Sequence, residues 1–170
     1  EALSYYDSQG HDFSQYDNDG DGRIDYFAVI WTGTHGAWAS FWWGYQTGFN
    51  DGTYLLDGKR LRDYSWQWEA NPVGGTFNPL VVIHETGHAL GLPDYYDYDG
   101  TVGPDGGVGD LDMMDANRGD HNCFSKFLLD WLTPTVVSGG NNTVSLRTAG
   151  TYGDAVIFSK GATSEPFADY

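Results

Sequence analysis

The run His84-Glu85-Thr86-Gly87-His88-Ala89-Leu90-Gly91-Leu92-Pro93-Asp94 follows directly on the apolar residues Leu80-Val81-Val82-Ile83. A helix that begins with four such residues must be buried, yet this one carries two histidines and a glutamate inward, which is costly unless something binds them. Asn78 is a good N-cap and Pro79 a good first helical residue, so the spacing predicts a helix over 79–90. On it, His84 and His88 leave the same face one turn apart. Two ring nitrogens so placed can reach one Zn²⁺ at about 2.0–2.1 Å. Glu85 stands beside the first ligand, where it can take a proton from a zinc-bound water. Gly91 lets the chain leave the helix in a left-handed turn, and Leu92-Pro93 carries it back so that Asp94 can offer a third ligand. Three protein ligands with an open fourth position make the pattern of a catalytic zinc site, not a closed structural one.

At 170 residues the chain is long enough for a sizeable core. Its 24 glycines and 16 % aromatics suit a loop-rich α+β domain better than a helical bundle. A formal net charge of −16 excludes nucleic acid and anionic membrane as partners, because both would be repelled. Cys123 is the sole cysteine, so no intramolecular disulfide and no cysteine-based metal site can form. Lying in the apolar stretch Phe124–Leu129, it reads as a buried small hydrophobe. No secretory leader or membrane-spanning run is legible, so no membrane insertion is expected. The termini, Glu1 and the run ending at Tyr170, read as those of a processed form or a piece of a longer precursor.

Residues 1–16 suggest no element. The apolar run Tyr26–Trp31 predicts a strand in a central position of a sheet. Residues 32–52 read as Gly- and Trp-rich loop. Over 61–69 the alternation of Leu61, Asp63, Ser65 and Gln67 with Arg62, Tyr64, Trp66 and Trp68 predicts a strand with one aromatic face. Residues 92–120 read as loop, and a second helix is expected from His121 to Leu132, ended by Thr133-Pro134. Short strands are expected in the tail around Val144–Leu146 and Ala155–Phe158. Residue 133 is the one plausible boundary, dividing a 1–133 catalytic domain from a short β-rich extension at 134–170.

A second constellation lies at residues 17–25. Asp17, Asp19 and Asp21 alternate, Gly22 follows, then Arg23, Ile24 and Asp25. This fits the first nine positions of an EF-hand-type calcium loop, with Arg23 contributing only its carbonyl and Gly22 at the sharp turn. Position twelve departs from it, since Ala28 stands where a bidentate glutamate is expected. The reading is a Ca²⁺ loop on a strand scaffold, with a solvated acidic turn as the alternative. Asp97, Asp99, Asp105, Asp110, Asp112 and Asp115 form a looser acidic stretch that follows no template.

The zinc motif has the His-x-x-x-His-x-x-Gly-x-x-Asp form of the metzincins. Its continuation, Gly91-Leu92-Pro93-Asp94-Tyr95-Tyr96-Asp97, resembles the immune inhibitor A family of secreted bacterial metallopeptidases. The resemblance extends to Leu111-Asp112-Met113-Met114-Asp115, to Phe124-Ser125-Lys126 with Leu129–Pro134, and to the aspartate loop, covering roughly residues 17–134. It implies a metzincin-type, zincin-like catalytic domain. Such a domain is α+β, with a mixed twisted sheet, an active-site helix, and a zinc cleft between an N-terminal and a smaller loop-rich C-terminal subdomain. It makes His84, His88 and Asp94 the zinc ligands, Glu85 the general base, and Met114 (or Met113) the Met-turn residue beneath the zinc. The chain departs from the family at Leu111, where Trp is usual, and at Asp130, where Gly is expected, and no Tyr closely follows the Met pair.

The activity so implied is zinc-dependent endopeptidase hydrolysis of extracellular proteins by a secreted, monomeric enzyme, with an extended substrate pairing to an edge strand. The strand at 61–69 is the candidate for that edge. His35 and His121 are spare histidines, His121 being the reserve ligand should Asp94 not reach the zinc. Trp38, Trp42, Trp43, Trp66 and Trp68 read as core before cleft wall. The alternatives are a zinc-binding but inactive or truncated relative, and a calcium-dependent carbohydrate- or surface-binding domain.

Overall fold

The computed structural model describes residues 1–33, 36–37, 41–69, 77, 79–100, 107–138, 141–148 and 150–159. His35, Trp38, Asn78 and Asp105, all singled out above, lie outside the described residues. The chain is α+β and forms two compact units, Glu1–Tyr96 and Asp97–Tyr170.

In the first unit, helix α1 (Ala2–Ser8) precedes a 3₁₀ turn at Phe13–Tyr16 and strand β1 (Arg23–Trp31). Then come β2 (Tyr45–Gly48), β3 (Leu55–Leu56), β4 (Lys59–Trp68) and helix α2 (Pro79–Ala89). The sheet is mixed. β4 pairs in parallel with β1 from Arg23↔Arg60 to Trp31↔Trp68. On its other side it pairs antiparallel with β2, Tyr45↔Trp66 to Gly48↔Asp63, and with β3. Two expectations are therefore corrected. β4 is the middle strand and not an edge, while β1, expected at the centre, pairs only with β4 among the described residues. Alternation in a strand reports which faces are covered, and it carries no information about which edges are occupied.

One core cluster is formed by Phe13, Ile24, Leu56 and Leu61, with Leu3, Phe27, Phe49 and Tyr54 packed against it. A second aromatic group runs along β4. Trp66 is buried and stacks on Trp42 at 4.5 Å, and Phe27 stacks on Tyr64 at 5.2 Å. Of the tryptophans expected in the core, Trp66 is buried, Trp42 and Trp68 are half-buried, and Trp43 is exposed.

In the second unit, α3 (Met113–Ala116) and α4 (Cys123–Leu128) are followed by β5 (Thr135–Ser138), which pairs in parallel with β6 (Val156–Ser159). α3 was not anticipated, and α4 is shorter than the expected 121–132. Asn122 caps α4, its side chain accepting from the amides of Phe124 and Ser125. That start puts Cys123 in the first turn, where it is exposed and not buried as its apolar neighbours suggested. No strand forms at Val144–Leu146. Among the described residues, no helix is long and apolar enough to cross a membrane.

Candidate metal centre

The C-terminal end of α2 builds the site. Gly91, at φ +100°, ends the helix in the left-handed conformation. Its amide bonds to the His88 carbonyl at 2.9 Å, and the next amide, of Leu92, reaches back to the Gly87 carbonyl at 3.0 Å. This is a Schellman closure, and it reverses the chain tightly over the last helical turn. Leu92 is buried as its anchor. The reversal has two consequences. The Leu92 carbonyl lies 2.8 Å from His88 Nδ1, and Asp94 is brought back against both imidazoles.

His84 Nε2 lies 2.9 Å from Asp94 Oδ1, and His88 Nε2 lies 3.2 Å from the same oxygen. The two rings are nearly perpendicular, at 83°, with centroids 4.8 Å apart. The predicted ligands His84, His88 and Asp94 thus form one group of converging donor atoms. Ligand atoms around a tetrahedral zinc lie about 3.3 Å apart, given metal–ligand distances near 2.0 Å. The two separations to Asp94 are close to that, and all three donor atoms lie within 4.8 Å of one another. The chemistry of the donors also fits a cation. His88 Nδ1 faces a carbonyl, which can only accept, so that nitrogen bears a proton and Nε2 is the ring nitrogen left to ligate a metal.

Glu85 is buried beside this group, 8 % exposed. Burial pushes its carboxyl up from the ordinary value. His84 and His88 pull it down, Asp94 pushes it up, and the backbone amide of Gln46 in β2 also pulls it down. α2 is tied to the sheet nearby. The Tyr26 hydroxyl donates to Ser65 Oγ at 2.6 Å and lies 3.3 Å from Thr86 Oγ1, linking β1, β4 and α2.

At the aspartate loop, Asp17, Asp19 and Asp21 form a second converging group. The Asp19 and Asp21 carboxylates accept from the amides of Asp21 and Arg23, at 3.1 and 2.9 Å. Asp25 is engaged differently, accepting from the side chain and amide of Asn18. Lys59, which no pattern in the sequence marks, bonds to Asp17 at 2.6 Å and with the Gly22 amide holds that carboxyl below its usual range.

In the second unit, Met114 is fully buried in α3. Beside it, Asp112 is completely enclosed and accepts from the Met114 amide (2.7 Å), the Asn122 amide (2.8 Å) and Ser125 Oγ (2.7 Å). His121 Nδ1 lies 3.4 Å from it, so the reserve ligand is engaged with Asp112. In sequence Asp112 stands out only as one of a loose acidic stretch, although an Asp just before an apolar pair is an N-cap signal. Of the other described residues in that stretch, Asp110 is paired to Arg118, and Asp115 and Asp97 accept from the amides of Asp110 and Asp99.

No family model matches the chain, and no curated protein matches it.

Proposed function

We propose that the chain is a zinc-dependent endopeptidase of metzincin type, related to the immune inhibitor A metallopeptidases, secreted and acting as a monomer on extracellular proteins or peptides. The reading is carried by one observation: His84, His88 and Asp94 converge, and a buried Glu85 stands beside them. When bound there, zinc would supply Lewis acidity toward a scissile carbonyl and acidify a water.

The chain's own residues do the rest. His84, His88 and Asp94 would hold the ion, and the Leu92 carbonyl keeps His88 in the tautomer that ligates through Nε2. Glu85 takes the proton from the attacking water and returns it to the leaving amine. Its surroundings favour a carboxyl that can hold a proton transiently, because burial opposes its charge. An extended substrate would lie against β2, whose pairing among the described residues is with β4 alone and whose Gln46 amide acts on Glu85. Main-chain bonding to such an edge gives affinity and leaves side chains to set specificity. The loop at Asp17–Asp25 would hold a structural Ca²⁺.

Hydrolysis of casein by the purified chain, with and without a zinc chelator and with metal analysis alongside, tests the reading. Chelator-sensitive cleavage with one zinc per chain is the expected result. Zinc without cleavage would mean an inactive relative, and calcium-dependent glycan binding without cleavage would mean a surface-binding domain. A chain with no affinity for zinc would overturn the reading altogether.

A further inference from the structure

The carboxylate of Asp17 is almost wholly enclosed, with 1 % of its side chain exposed. One oxygen, Oδ2, accepts from the Gly22 amide at 3.0 Å and from the Lys59 ammonium at 2.6 Å. The other, Oδ1, is buried with no hydrogen bond of good geometry, although the Gly20 amide acts weakly on the carboxyl. An orphaned buried carboxylate oxygen is costly. Asp17 itself belongs with Asp19 and Asp21 to a group in which one carboxylate oxygen of each lies within 4.8 Å of the others. The acidic cluster therefore has a second, independent feature that asks for a cation.

Lys59 is foreign to the nine-position pattern. It enters from the first residue of β4, and the Arg60 amide beside it bonds to the Gly22 carbonyl at 3.0 Å, so loop and strand are fastened together. Position twelve of the pattern, where a glutamate would add two oxygens and a charge, is Ala28. The site thus lacks one negative charge and has one positive charge seated on its first ligand. Both changes weaken calcium binding, which follows the charge count of the ligands.

We propose that the Lys59 ammonium is a built-in competitor for the divalent cation: it holds Asp17 when the loop carries no ion and moves off as Ca²⁺ binds. It thereby keeps the loop's affinity in the weak range of extracellular modules, about 10⁻⁴–10⁻³ M. The inference rests on reading residues 17–25 as a calcium loop.

The test is calorimetric titration of Ca²⁺ into the zinc-loaded chain, its Lys59→Met variant and its Asp17→Asn variant. A second readout uses the wild-type chain alone: the acylation rate of the Lys59 amine, followed by peptide mass spectrometry with and without Ca²⁺. Lys59→Met should bind Ca²⁺ about tenfold more tightly, Asp17→Asn should lose binding, and Ca²⁺ should speed Lys59 acylation. Equal affinity in wild type and Lys59→Met, with unchanged acylation, would overturn the competitor while leaving the calcium loop standing. Absence of Ca²⁺ binding in every chain would overturn the loop reading and the competitor with it. Should Lys59→Met fail to fold, the acylation experiment decides alone.

Discussion

The carbonyl oxygen of Leu92 lies 2.8 Å from Nδ1 of His88, four residues back in the chain. The helix closure that creates this contact also returns Asp94 to within 3.2 Å of the opposite nitrogen of the same ring. One backbone reversal thus orients a histidine and delivers its carboxylate companion. Replacing Asp94 by Ala should lower zinc affinity more than about 100-fold, judged against the 10–100-fold typical of outer-shell partners. Competition with a chromophoric chelator measures it, and unchanged affinity would remove Asp94 from the ligand set.

Glu85→Gln should keep the zinc affinity and lose turnover by about 10³-fold, in the range of general acid–base contributions. Retention of zinc with loss of kcat separates this role from ligation, and substantial remaining kcat would deny it.

Gly44 stands just before β2, and a Cβ there would lie 2.5 Å from Val81 Cγ1 on α2. Gly44→Ala should therefore cost about 1–3 kcal/mol of stability by overpacking. Trimming the facing side chain in the double variant with Val81→Ala should recover part of that loss. Urea denaturation of the three variants gives the coupling, and strict additivity would mean that the two positions do not meet.

The hydroxyl of Tyr26 donates to Ser65 Oγ at 2.6 Å, and Ser65 is 3 % exposed. Tyr26→Phe should cost about 1 kcal/mol in the same assay, and a neutral result would mean that water replaces the bond.

Asp112→Ala should destabilise the chain by roughly 3 kcal/mol, because three direct donors would lose a charged acceptor in a buried place. Burial by itself would raise the Asp112 carboxyl, but the Met114, Ser125, Asn122 and His121 donors outweigh it and hold it below the ordinary value. Asp154 is held down to about 2, first by the Arg147 side chain. A carboxyl with a depressed folded pKa stabilises at pH above its unfolded value, near 3.9, and that contribution fades as pH falls through the folded value. The contribution of these two carboxyls should thus decline from about pH 4 toward 2. In Asp112→Ala the decline should be shallower, and an identical acid limb would contradict the assignment.

What could be read in the sequence was whatever leaves a local pattern. The four apolar residues before His84 and the glycine at position 91 locate α2 and its closure, although the helix is less buried than that run predicts, Ile83 being exposed; alternation over 61–69 locates β4. The placement of β4 between β1 and β2 left no such trace, because edge pairing is decided by residues distant in the chain. β2, with Tyr45-Gln46-Thr47-Gly48, is too short and too polar to stand out, although it supplies the amide that acts on Glu85. α1 buries none of its residues and so has no apolar stripe to reveal it. The convergence of His84, His88 and Asp94 was legible because all three lie within one helix and its exit. Lys59 on Asp17 was not, since that contact spans 42 positions.

The parallel pairing of β1 with β4 bears on how the chain acquires its structure. No hairpin can zip these two strands together, since Arg23 meets Arg60 only after the whole intervening segment has been closed into a loop. The entropy of that closure falls before any ladder contact repays it, so the nucleus of the first unit should form late and slowly. Until it does, the apolar run Tyr26–Trp31 is an unpaired, sticky segment, and refolding yield should fall steeply with protein concentration.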